Sequence, residues 1–345
     1  MLKPTDERLR RLPKAELHVH LDGSLRPATL LELATERGVA LPASDEEGLA
    51  RSMLVSGARN LEEYLEPFRV TLAVMQDAEA IERISFELAE DHAAENVRWL
   101  EVRFSPDLCT RQGLTSDEVV DAALAGLERA GQTTRIRTRI IVCALRSLPE
   151  AHSIEMAELA AAYVGRGVCA FDLAGAEDGY PVEDHVAAVR IAERAGLAIT
   201  IHAGEGYGPD SIRQALELGH AARIGHGTRL GEDTELLRDV RESGVVLEIC
   251  LTSNVQTRVA ASYAGHPLRA YYDAGLRVAL CTDNRLMSGV TLTQEYQHAR
   301  DALAFTWDEL MHVARTGFES AFAPADVRAT LLEELDGGLE GVGEG

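Results

Sequence analysis

Basic residues are scarce in this sequence relative to acidic ones. The 345 residues include 34 lysines and arginines against 56 aspartates and glutamates, which gives a formal net charge of −22. A surface with such an excess of negative charge repels phosphate backbones and anionic lipid surfaces. We therefore expect no nucleic acid and no membrane as a partner, and a small neutral molecule as the substrate.

Long apolar runs are absent as well. The sequence contains no run of about 18 consecutive apolar residues, the length that a transmembrane helix needs. Residues 1–14 are charged and contain no apolar core segment, so they do not have the pattern of a secretory signal. We therefore expect a protein that neither spans a membrane nor is secreted.

Cysteines are few, and none of them form a C-x-x-C pair, which excludes a cysteine-based zinc finger. Four of the five lie in apolar, strand-like runs, which is typical of buried thiols in a reducing compartment. The sequence therefore predicts a cytoplasmic protein with reduced thiols at Cys109, Cys143, Cys169, Cys250 and Cys281.

A long helical stretch follows the first predicted strand. That strand lies within residues 16–23, and the apolar spacing over 24–95 predicts helices at 25–37, 61–74 and 80–94. A helical insertion over a strand end often forms a lid or a pocket wall. We therefore expect this insertion to shape a binding pocket.

Strands then alternate with helices along the rest of the chain. Together with the first strand they make eight strand–helix units with no internal linker, which is the pattern of a parallel α/β fold. The later strands are predicted at 97–105, 136–145, 168–174, 197–202, 222–226, 245–251 and 277–282.

This alternation predicts a (β/α)8 TIM barrel with a helical insertion after strand 1. Runs such as Ile140-Ile141-Val142 fit strands that are buried on both faces. The alternative, a doubly wound open sheet, lacks support because no G-x-G-x-x-G turn follows the first strand. We expect a single domain over residues 1–335 and a flexible, acidic, glycine-rich tail at 336–345.

Two histidines stand two positions apart in the first strand. Because residues i and i+2 of a strand point to the same side, His18 and His20 would direct both imidazoles into one space. Neutral imidazole is a favoured zinc ligand. Alternatively, they are two unrelated polar residues on a half-buried strand, because two ligands alone do not make a site.

Other strands also end in polar residues, at the edge where such barrels carry their active sites. His202 ends strand 5, His226 ends strand 6 and Asp283 follows strand 8. His18, His20 and His202 with Asp283 provide three nitrogens and one carboxylate, a set that suits one zinc ion. The alternatives are a turn-forming role for Asp283 and a structural role for His226.

Three residues of this cluster are candidate catalytic groups. Glu205 follows His202 by three residues in a glycine turn, and a partly buried carboxyl beside a cation suits general acid–base work. His226 is expected beside the metal, where it would orient the attacking water or stabilise charge on it. Asp283 can also accept a proton or a hydrogen bond from that water.

Together these motifs resemble the adenosine deaminase family, which consists of zinc-dependent (β/α)8 barrels that convert adenosine and water to inosine and ammonia. The set is far more specific than H-x-H alone. The matching segments are PKAELHVHLDGS at 13–24, EVRFSP at 101–106, DLAG at 172–175, HAGE at 202–205, IGHG at 224–227 and LTSN at 251–254.

The resemblance implies a role for each matching position. It implies that the four ligands hold one zinc ion, that Glu205 protonates purine N1 and that His226 helps to activate the water. It also implies that Asp22 contacts the ribose hydroxyls and that the backbone of Gly175 donates to purine N3. The substrate-binding residues that it implies are His20, Asp22, Gly175 and Asn284.

Asn284 departs from the family pattern, which commonly has a second Asp at this position. The position is expected to donate a hydrogen bond to purine N7, and an amide donates without first binding a proton. The base specificity therefore stays open. The alternatives are another 6-aminopurine, such as adenine or 6-amino-6-deoxyfutalosine, and a non-catalytic barrel that binds a ligand or partner. The sequence does not indicate an oligomeric state.

Overall fold

Eight parallel strands form a nearly closed barrel. The structure, a computed structural model, describes residues 3–55 and 67–340. Neighbouring strands pair in chain order from first to last. The strands are β1 (Lys14–His20), β2 (Val97–Phe104), β3 (Arg137–Leu145), β4 (Val168–Ala174), β5 (Ala198–Ala203), β6 (Arg223–His226), β7 (Val246–Ile249) and β8 (Arg277–Leu280).

The barrel closes where the chain beyond β8 meets β1. Val19 and Asp283 form a parallel bridge. The backbone N–H of His20 donates to the carbonyl of Asp283 at 2.7 Å, and the N–H of Asp283 donates to the carbonyl of His18 at 2.8 Å. The predicted TIM barrel is confirmed, and its closure places Asp283 beside the two histidines of β1.

Helices connect the strands. No helix within the described ranges is both long and apolar enough to cross a membrane. Before β3 they are α1 (Asp6–Arg11), α2 (Pro27–Arg37), α3 (Glu46–Met53), α4 (Phe68–Val74), α5 (Ala78–Ala94) and α6 (Ser116–Thr133). From β3 to β7 they are α7 (Glu150–Ala162), α8 (Val186–Arg194), α9 (Pro209–Glu217) and α10 (Thr234–Ser243). After β7 they are α11 (Leu251–Gln256), α12 (Leu268–Asp273), α13 (Arg285–Ser288), α14 (Leu292–Ala302), α15 (Trp307–Glu319) and α16 (Ala325–Glu340).

Local sequence fixes where several of these helices begin. Thr115, Thr291 and Thr306 each open a helix with a capping box, in which the hydroxyl and the third helical residue satisfy each other's backbone N–H groups. Apolar side chains such as Val119 and Leu127 of α6 then face inward and are buried. Burial of this face, rather than helix propensity, stabilises a helix in a folded domain.

The segment between β1 and β2 is helical where it is described. α2 begins at Pro27 rather than at residue 25 and ends before Gly38, whose φ of 64° is the left-handed conformation that favours glycine. The helix predicted at 61–74 is present from Phe68 onward, and residues 56–66 lie outside the described part. α4 brings Phe68 and Leu72 to the cavity at the carboxyl ends of the strands.

The seventh strand is shorter than predicted. β7 ends at Ile249, and α11 begins at Leu251. Thr252 and Asn254, which follow the predicted strand at 245–251, therefore lie on a helix. Hydrophobic periodicity alone does not distinguish a short buried strand from the first turn of a buried helix. For this reason strand 7 was predicted too long.

The flexible tail at 336–345 stays a prediction, although the last helix enters its first part. α16 continues to Glu340, so residues 336–340 are helical. Leu331 and Leu335 are buried and attach this helix to the rest of the protein. A side-chain ion pair between Arg315 and Asp336 adds a contact in the same turn. Residues 341–345 lie outside the described part.

Candidate active site

The four predicted metal ligands meet at the carboxyl ends of the strands. The Nε2 atoms of His18 and His20 each lie 3.4 Å from Oδ1 of Asp283. The Nε2 atoms of His20 and His202 are 3.2 Å apart. His226 joins them, because one ligand atom each from His18, His202, His226 and Asp283 all lie within 4.8 Å of one another. Geometry alone therefore leaves five candidate ligands for one ion.

Two buried carboxylates orient two of these imidazoles. Nδ1 of His18 lies 2.9 Å from Oε2 of Glu248, and Nδ1 of His202 lies 3.0 Å from Oδ2 of Asp172. An ionised carboxylate only accepts, so each Nδ1 carries a proton, and Nε2 is the nitrogen that remains for a metal ion. This is the arrangement that metal-binding histidines use, with a carboxylate behind the ring and the free nitrogen facing the ion.

Arg103 joins the two carboxylates across the barrel interior. Its Nη1 lies 3.0 Å from Asp172 and its Nη2 lies 2.8 Å from Glu248, and all three side chains are fully buried. Burial alone would raise the pKa of each carboxyl. The charge of Arg103 outweighs this effect at Glu248, and the charges of His202 and Arg103 outweigh it at Asp172. Both pKa values therefore lie below their ordinary range. Both therefore stay ionised acceptors at neutral pH.

Glycine allows the rings to pack this closely. A Cβ atom at Gly225 would lie 3.0 Å from Cε1 of His18 and 3.2 Å from Cα of His202. The next residue, His226, has a φ of 65°, and Asp283 has a φ of 61°. Such left-handed backbone at non-glycine residues costs energy and is concentrated at functional sites. Two members of the cluster are therefore held in strained conformations.

Glu205 lies beside His226, with Oε2 of the carboxyl 3.4 Å from Nε2 of the ring. Oε1 of Glu205 accepts a hydrogen bond from the Thr257 hydroxyl at 3.1 Å. Burial, reinforced by the charges of Asp283 and Glu177, raises the pKa of Glu205 to about 8. The carboxyl is therefore protonated at neutral pH and can deliver a proton.

The turn that carries Glu205 is clamped by a second carboxylate. Glu177 accepts backbone N–H groups of Gly204 at 2.8 Å, Glu205 at 2.8 Å and Gly206 at 2.9 Å. Glu177 is buried and follows β4, one strand away from the turn that it holds. Three charge-assisted hydrogen bonds fix the turn in one conformation.

A cavity opens above these residues. Its volume of about 230 Å³ is slightly below the range of about 300–1,000 Å³ that is typical of small-molecule sites. Its walls combine an apolar side with the polar cluster. The lining residues are His20, Asp22, Phe68, Arg69, Leu72, Leu108, Leu145, Ala174, Gly175, His202, Glu205, His226, Asp283 and Asn284.

Asp22 is a buried carboxyl on the wall of this cavity. It is 7% exposed, and its Oδ1 has no hydrogen-bond partner among the described residues. Burial raises its pKa to about 7. A buried acceptor without a donor is costly, so a ligand that brings hydroxyl donors to this wall would gain free energy.

Gly175 and Asn284 line the same cavity. Gly175 follows β4 with a φ of 89°, a conformation that glycine adopts readily. Asn284 is 2% exposed and packs against Gly23. Every site residue predicted from the sequence therefore lies in one place, on the cavity wall or within the cluster directly behind it.

The donor set fits a divalent ion of the zinc type. Nε2 of His18 is buried and makes no hydrogen bond to any described residue. Burial lowers the pKa values of His20 and His202, so both imidazoles are neutral, as metal binding requires. Burial raises the pKa of Asp283, but the contact with His18, whose own pKa is raised by Asp283 and Glu248, outweighs it, so this carboxylate is ionised. Nitrogen donors with one carboxylate suit zinc and exclude an all-oxygen magnesium site.

The residues that support the candidate metal ligands and Glu205 were not predicted from the sequence. Glu177, Glu248 and Asn254 contact the candidate site residues directly, and Arg103 holds the carboxylates behind them. A signal for Glu248 was available, because a charged residue stood inside the apolar run Val245–Leu251. A charge in a strand that is buried on both faces needs a partner.

A parallel barrel with imidazoles, a carboxylate and a buried acid at its strand ends has the architecture of a barrel hydrolase. The family model described as adenosine deaminase matches residues 13–337. An adenosine deaminase of Clostridium acetobutylicum is 40% identical over 331 residues, which cover 96% of this chain and 99% of that one. The chain therefore belongs to the adenosine deaminase family, whose members are hydrolases that act on C–N bonds.

Solved structures with the same fold differ in their substrates. An adenine deaminase from Arthrobacter aurescens is 27% identical with a TM-score of 0.89, over 95% of this chain and 99% of that one. An Arabidopsis N6-mAMP deaminase is 29% identical with a TM-score of 0.86, over 96% of this chain and 99% of that one. Family membership thus defines the reaction class more closely than it defines the purine.

Proposed function

We propose that this chain hydrolyses adenosine and 2′-deoxyadenosine to inosine and 2′-deoxyinosine, with release of ammonia. The observation that carries the choice of substrate is Asp22. Its buried carboxyl lacks a partner for Oδ1 among the described residues and faces the cavity, where the hydroxyls of a sugar would supply the missing donors. The relatives named adenosine deaminase support the same choice.

We further propose that His18, His20, His202 and Asp283 hold one zinc ion. Such an ion would supply Lewis acidity that lowers the pKa of water from about 15.7 toward 7. Asp283, ionised and within 3.4 Å of both β1 histidines, would also accept a hydrogen bond from the attacking water. The carboxylates behind the rings of His18 and His202 keep those donors in place.

In this mechanism Glu205 is the general acid. Its protonated carboxyl delivers a proton to purine N1, which draws electron density from C6 and makes that carbon electrophilic. Water then adds to C6. One of its protons passes to the departing amino group, which leaves as ammonia, and the other is lost from the new C6 oxygen as the carbonyl forms and restores the protonated Glu205. The clamp on the Glu205 turn by Glu177 keeps the acid aimed at N1 throughout.

The remaining contacts position the base. The backbone N–H of Gly175 would donate to purine N3, and the amide of Asn284 would donate to N7. Phe68 and Leu72 of α4 provide apolar surface on the same cavity. Binding energy from these groups holds C6 against the reacting atoms, which is the usual source of a large effective concentration.

Other 6-aminopurines are the competing substrates. The solved adenine deaminase supports free adenine, whereas Arg69 on the cavity wall would suit a substrate with a 5′-phosphate, as in the N6-mAMP deaminase. No basic residue could be assigned to the pocket from sequence alone. 6-Amino-6-deoxyfutalosine, which carries a 5′ modification, is a further candidate.

A steady-state screen of the purified, zinc-loaded protein tests the substrate. Ammonia release is measured with adenosine, 2′-deoxyadenosine, adenine, 6-amino-6-deoxyfutalosine, AMP and N6-methyl-AMP. We expect the highest kcat/KM with the two nucleosides. Asp22→Ala should lower kcat/KM for adenosine about 10–100-fold, the equivalent of about 1.5–3 kcal/mol, and change that for adenine much less.

Asp178→Ala is the matched control, since Asp178 is an exposed acid in the loop after β4. It should leave both rates unchanged. A higher kcat/KM for adenine than for adenosine in the wild type would contradict both the ribose role of Asp22 and the proposed substrate.

A further inference from the structure

A chain of buried hydrogen bonds ends on His226 from the side away from Glu205. The backbone N–H of Leu268 lies 3.0 Å from Nδ1 of His266. Nε2 of His266 lies 3.1 Å from Oδ1 of Asn254, and Nδ2 of Asn254 lies 3.0 Å from Nδ1 of His226. His266, Asn254 and His226 are all buried.

The chemistry of the first group sets the direction of the first two links. A backbone N–H can only donate, so Nδ1 of His266 must accept. Burial lowers the pKa of His266 to about 3, so its ring is neutral and carries its single proton on Nε2. That N–H then donates to Oδ1 of Asn254, which accepts from the Thr228 hydroxyl as well, at 2.9 Å.

These two donors fix the orientation of the Asn254 amide. With Oδ1 held by His266 and Thr228, the amide nitrogen is the atom that faces His226. An amide NH₂ group has no lone pair to offer, so Nδ1 of His226 is the acceptor. Because Nδ1 accepts, it carries no proton, so the ring has its single proton on Nε2, the nitrogen that lies 3.4 Å from the Glu205 carboxyl.

We propose that Asn254 and His266 are positioning residues that hold His226 as its Nε2–H tautomer. His18 and His202 instead carry a proton on Nδ1, because each has an acceptor carboxylate at Nδ1 where His226 has a donor amide. The ring centroids of His18 and His202 both lie within 5.3 Å of that of His226. The hydrogen-bond partner at Nδ1 thus gives these neighbouring rings different roles.

The tautomer decides what His226 does. A protonated Nε2 has no lone pair, so His226 is not a metal ligand even though it lies among the candidate ligand atoms. It instead points a hydrogen-bond donor into the cavity, where it can hold the oxygen of the attacking water or the carboxylate that Glu205 becomes after it gives up its proton. This consequence rests on the proposed function, whereas the tautomer itself does not.

Two-bond ¹H–¹⁵N correlation spectra of histidine-labelled protein distinguish the tautomers, because the protonated and unprotonated ring nitrogens resonate far apart. The full-length chain is used with zinc bound, and the measurement is repeated after chelation. The signal of His226 is assigned by its loss in His226→Gln. We expect the Nε2–H tautomer in the wild type. An Nδ1–H tautomer there would overturn the proposal without any variant.

Substitutions then test the relay, which is the chain of hydrogen bonds from His266 through Asn254 to His226. Asn254→Asp replaces the donor at Nδ1 with an acceptor of the same shape, so the proton of His226 should move to Nδ1 or be joined by a second one. His266→Leu removes the donor that orients Asn254 and should give a mixture of tautomers, and His266→Gln, which can still donate, should restore the wild-type form. Unchanged spectra in both Asn254→Asp and His266→Leu would overturn the relay.

Glu193→Gln is the matched control, since Glu193 contacts the exposed His220 at 2.7 Å and no part of the relay. It should alter the signal of His220 alone. Failure of the proposed function would show separately, as a protein that does not release ammonia from adenosine while His226 still shows its Nε2–H signal.

Discussion

Gly23 and Asn284 are in such close contact that no side chain fits between them. A Cβ atom at Gly23 would lie 1.8 Å from Oδ1 of Asn284 and 2.6 Å from its Cγ. The backbone carbonyl of Gly23 also accepts the N–H of Leu286 at 3.0 Å, so the two segments cannot simply move apart. Gly23, in the loop after β1, therefore sets the position of the Asn284 side chain.

The first prediction follows from this contact. In Gly23→Ala the methyl group should displace the Asn284 amide, and kcat/KM for adenosine should fall at least about tenfold, because a lost buried hydrogen bond costs about 1–3 kcal/mol. The measurement compares adenosine with 7-deazaadenosine, which lacks the N7 acceptor. We expect a large preference for adenosine in the wild type and a much smaller one in Gly23→Ala.

Gly337→Ala is its control, because a Cβ at Gly337 meets no atom within 4 Å. Equal turnover of adenosine and 7-deazaadenosine by the wild type would show that Asn284 does not contact N7. Asn284 would then act only through its backbone, in the turn that carries Asp283.

The second prediction concerns Arg103, which contacts both carboxylates behind the metal-site histidines. Arg103→Lys keeps a positive charge but cannot bridge Asp172 and Glu248 at once. We expect zinc affinity, measured by competition with a chelator, to fall about 10–100-fold, the usual effect of losing such support. Arg129→Lys, at an exposed ion pair with Glu82, should leave the affinity unchanged. Wild-type affinity in a folded Arg103→Lys variant would refute the bridging role.

The third prediction concerns pH. Glu205 has a pKa of about 8 and must be protonated to act, so kcat/KM for adenosine should be level below that pH and fall about tenfold per unit above it. The Thr257 hydroxyl lowers this pKa by stabilising the carboxylate. Thr257→Val should therefore move the alkaline limb to higher pH.

Glu205→Gln should lose about 10²–10⁴ in kcat and lose the alkaline limb with it. The same variant should still bind the metal, since Glu205 is not among the proposed ligands. A shift of the limb to lower pH in Thr257→Val, or an unaltered limb in Glu205→Gln, would assign the titration to another group.

The sequence predicted those parts of the molecule that depend on periodicity and on strand ends. The barrel followed from eight strand–helix units, and His202, His226 and Asp283 were found because the carboxyl ends of parallel strands share one edge. The supporting contacts were not predictable, because they join residues far apart in the chain. Glu248 reaches His18 across 230 positions, and nothing local in either segment indicates the partner.

The predicted end of strand 7 was wrong because its sequence pattern fits two different structures. Residues 245–251 are apolar except for Glu248, which fits a strand and the first turn of a helix equally well, and only the observed fold distinguishes the two. Asn254 contacts His226 from helix α11, which the sequence did not predict. The hydrogen bonds from His266 through Asn254 to His226 were therefore not predicted either. Likewise, the glycines near the C-terminus suggested a tail, but burial of Leu335 extends α16 past them.

Metal titration of the chelator-treated protein tests whether this chain is a zinc-dependent deaminase of adenosine. Bound zinc and ammonia release from adenosine are measured on the same samples. We expect activity to rise in proportion to bound zinc and to stop rising at about one ion per chain. His202→Ala should bind no zinc and show no activity, whereas His220→Ala, at an exposed histidine, should match the wild type. Full activity in a preparation that contains no bound transition metal would show that the deamination does not depend on zinc.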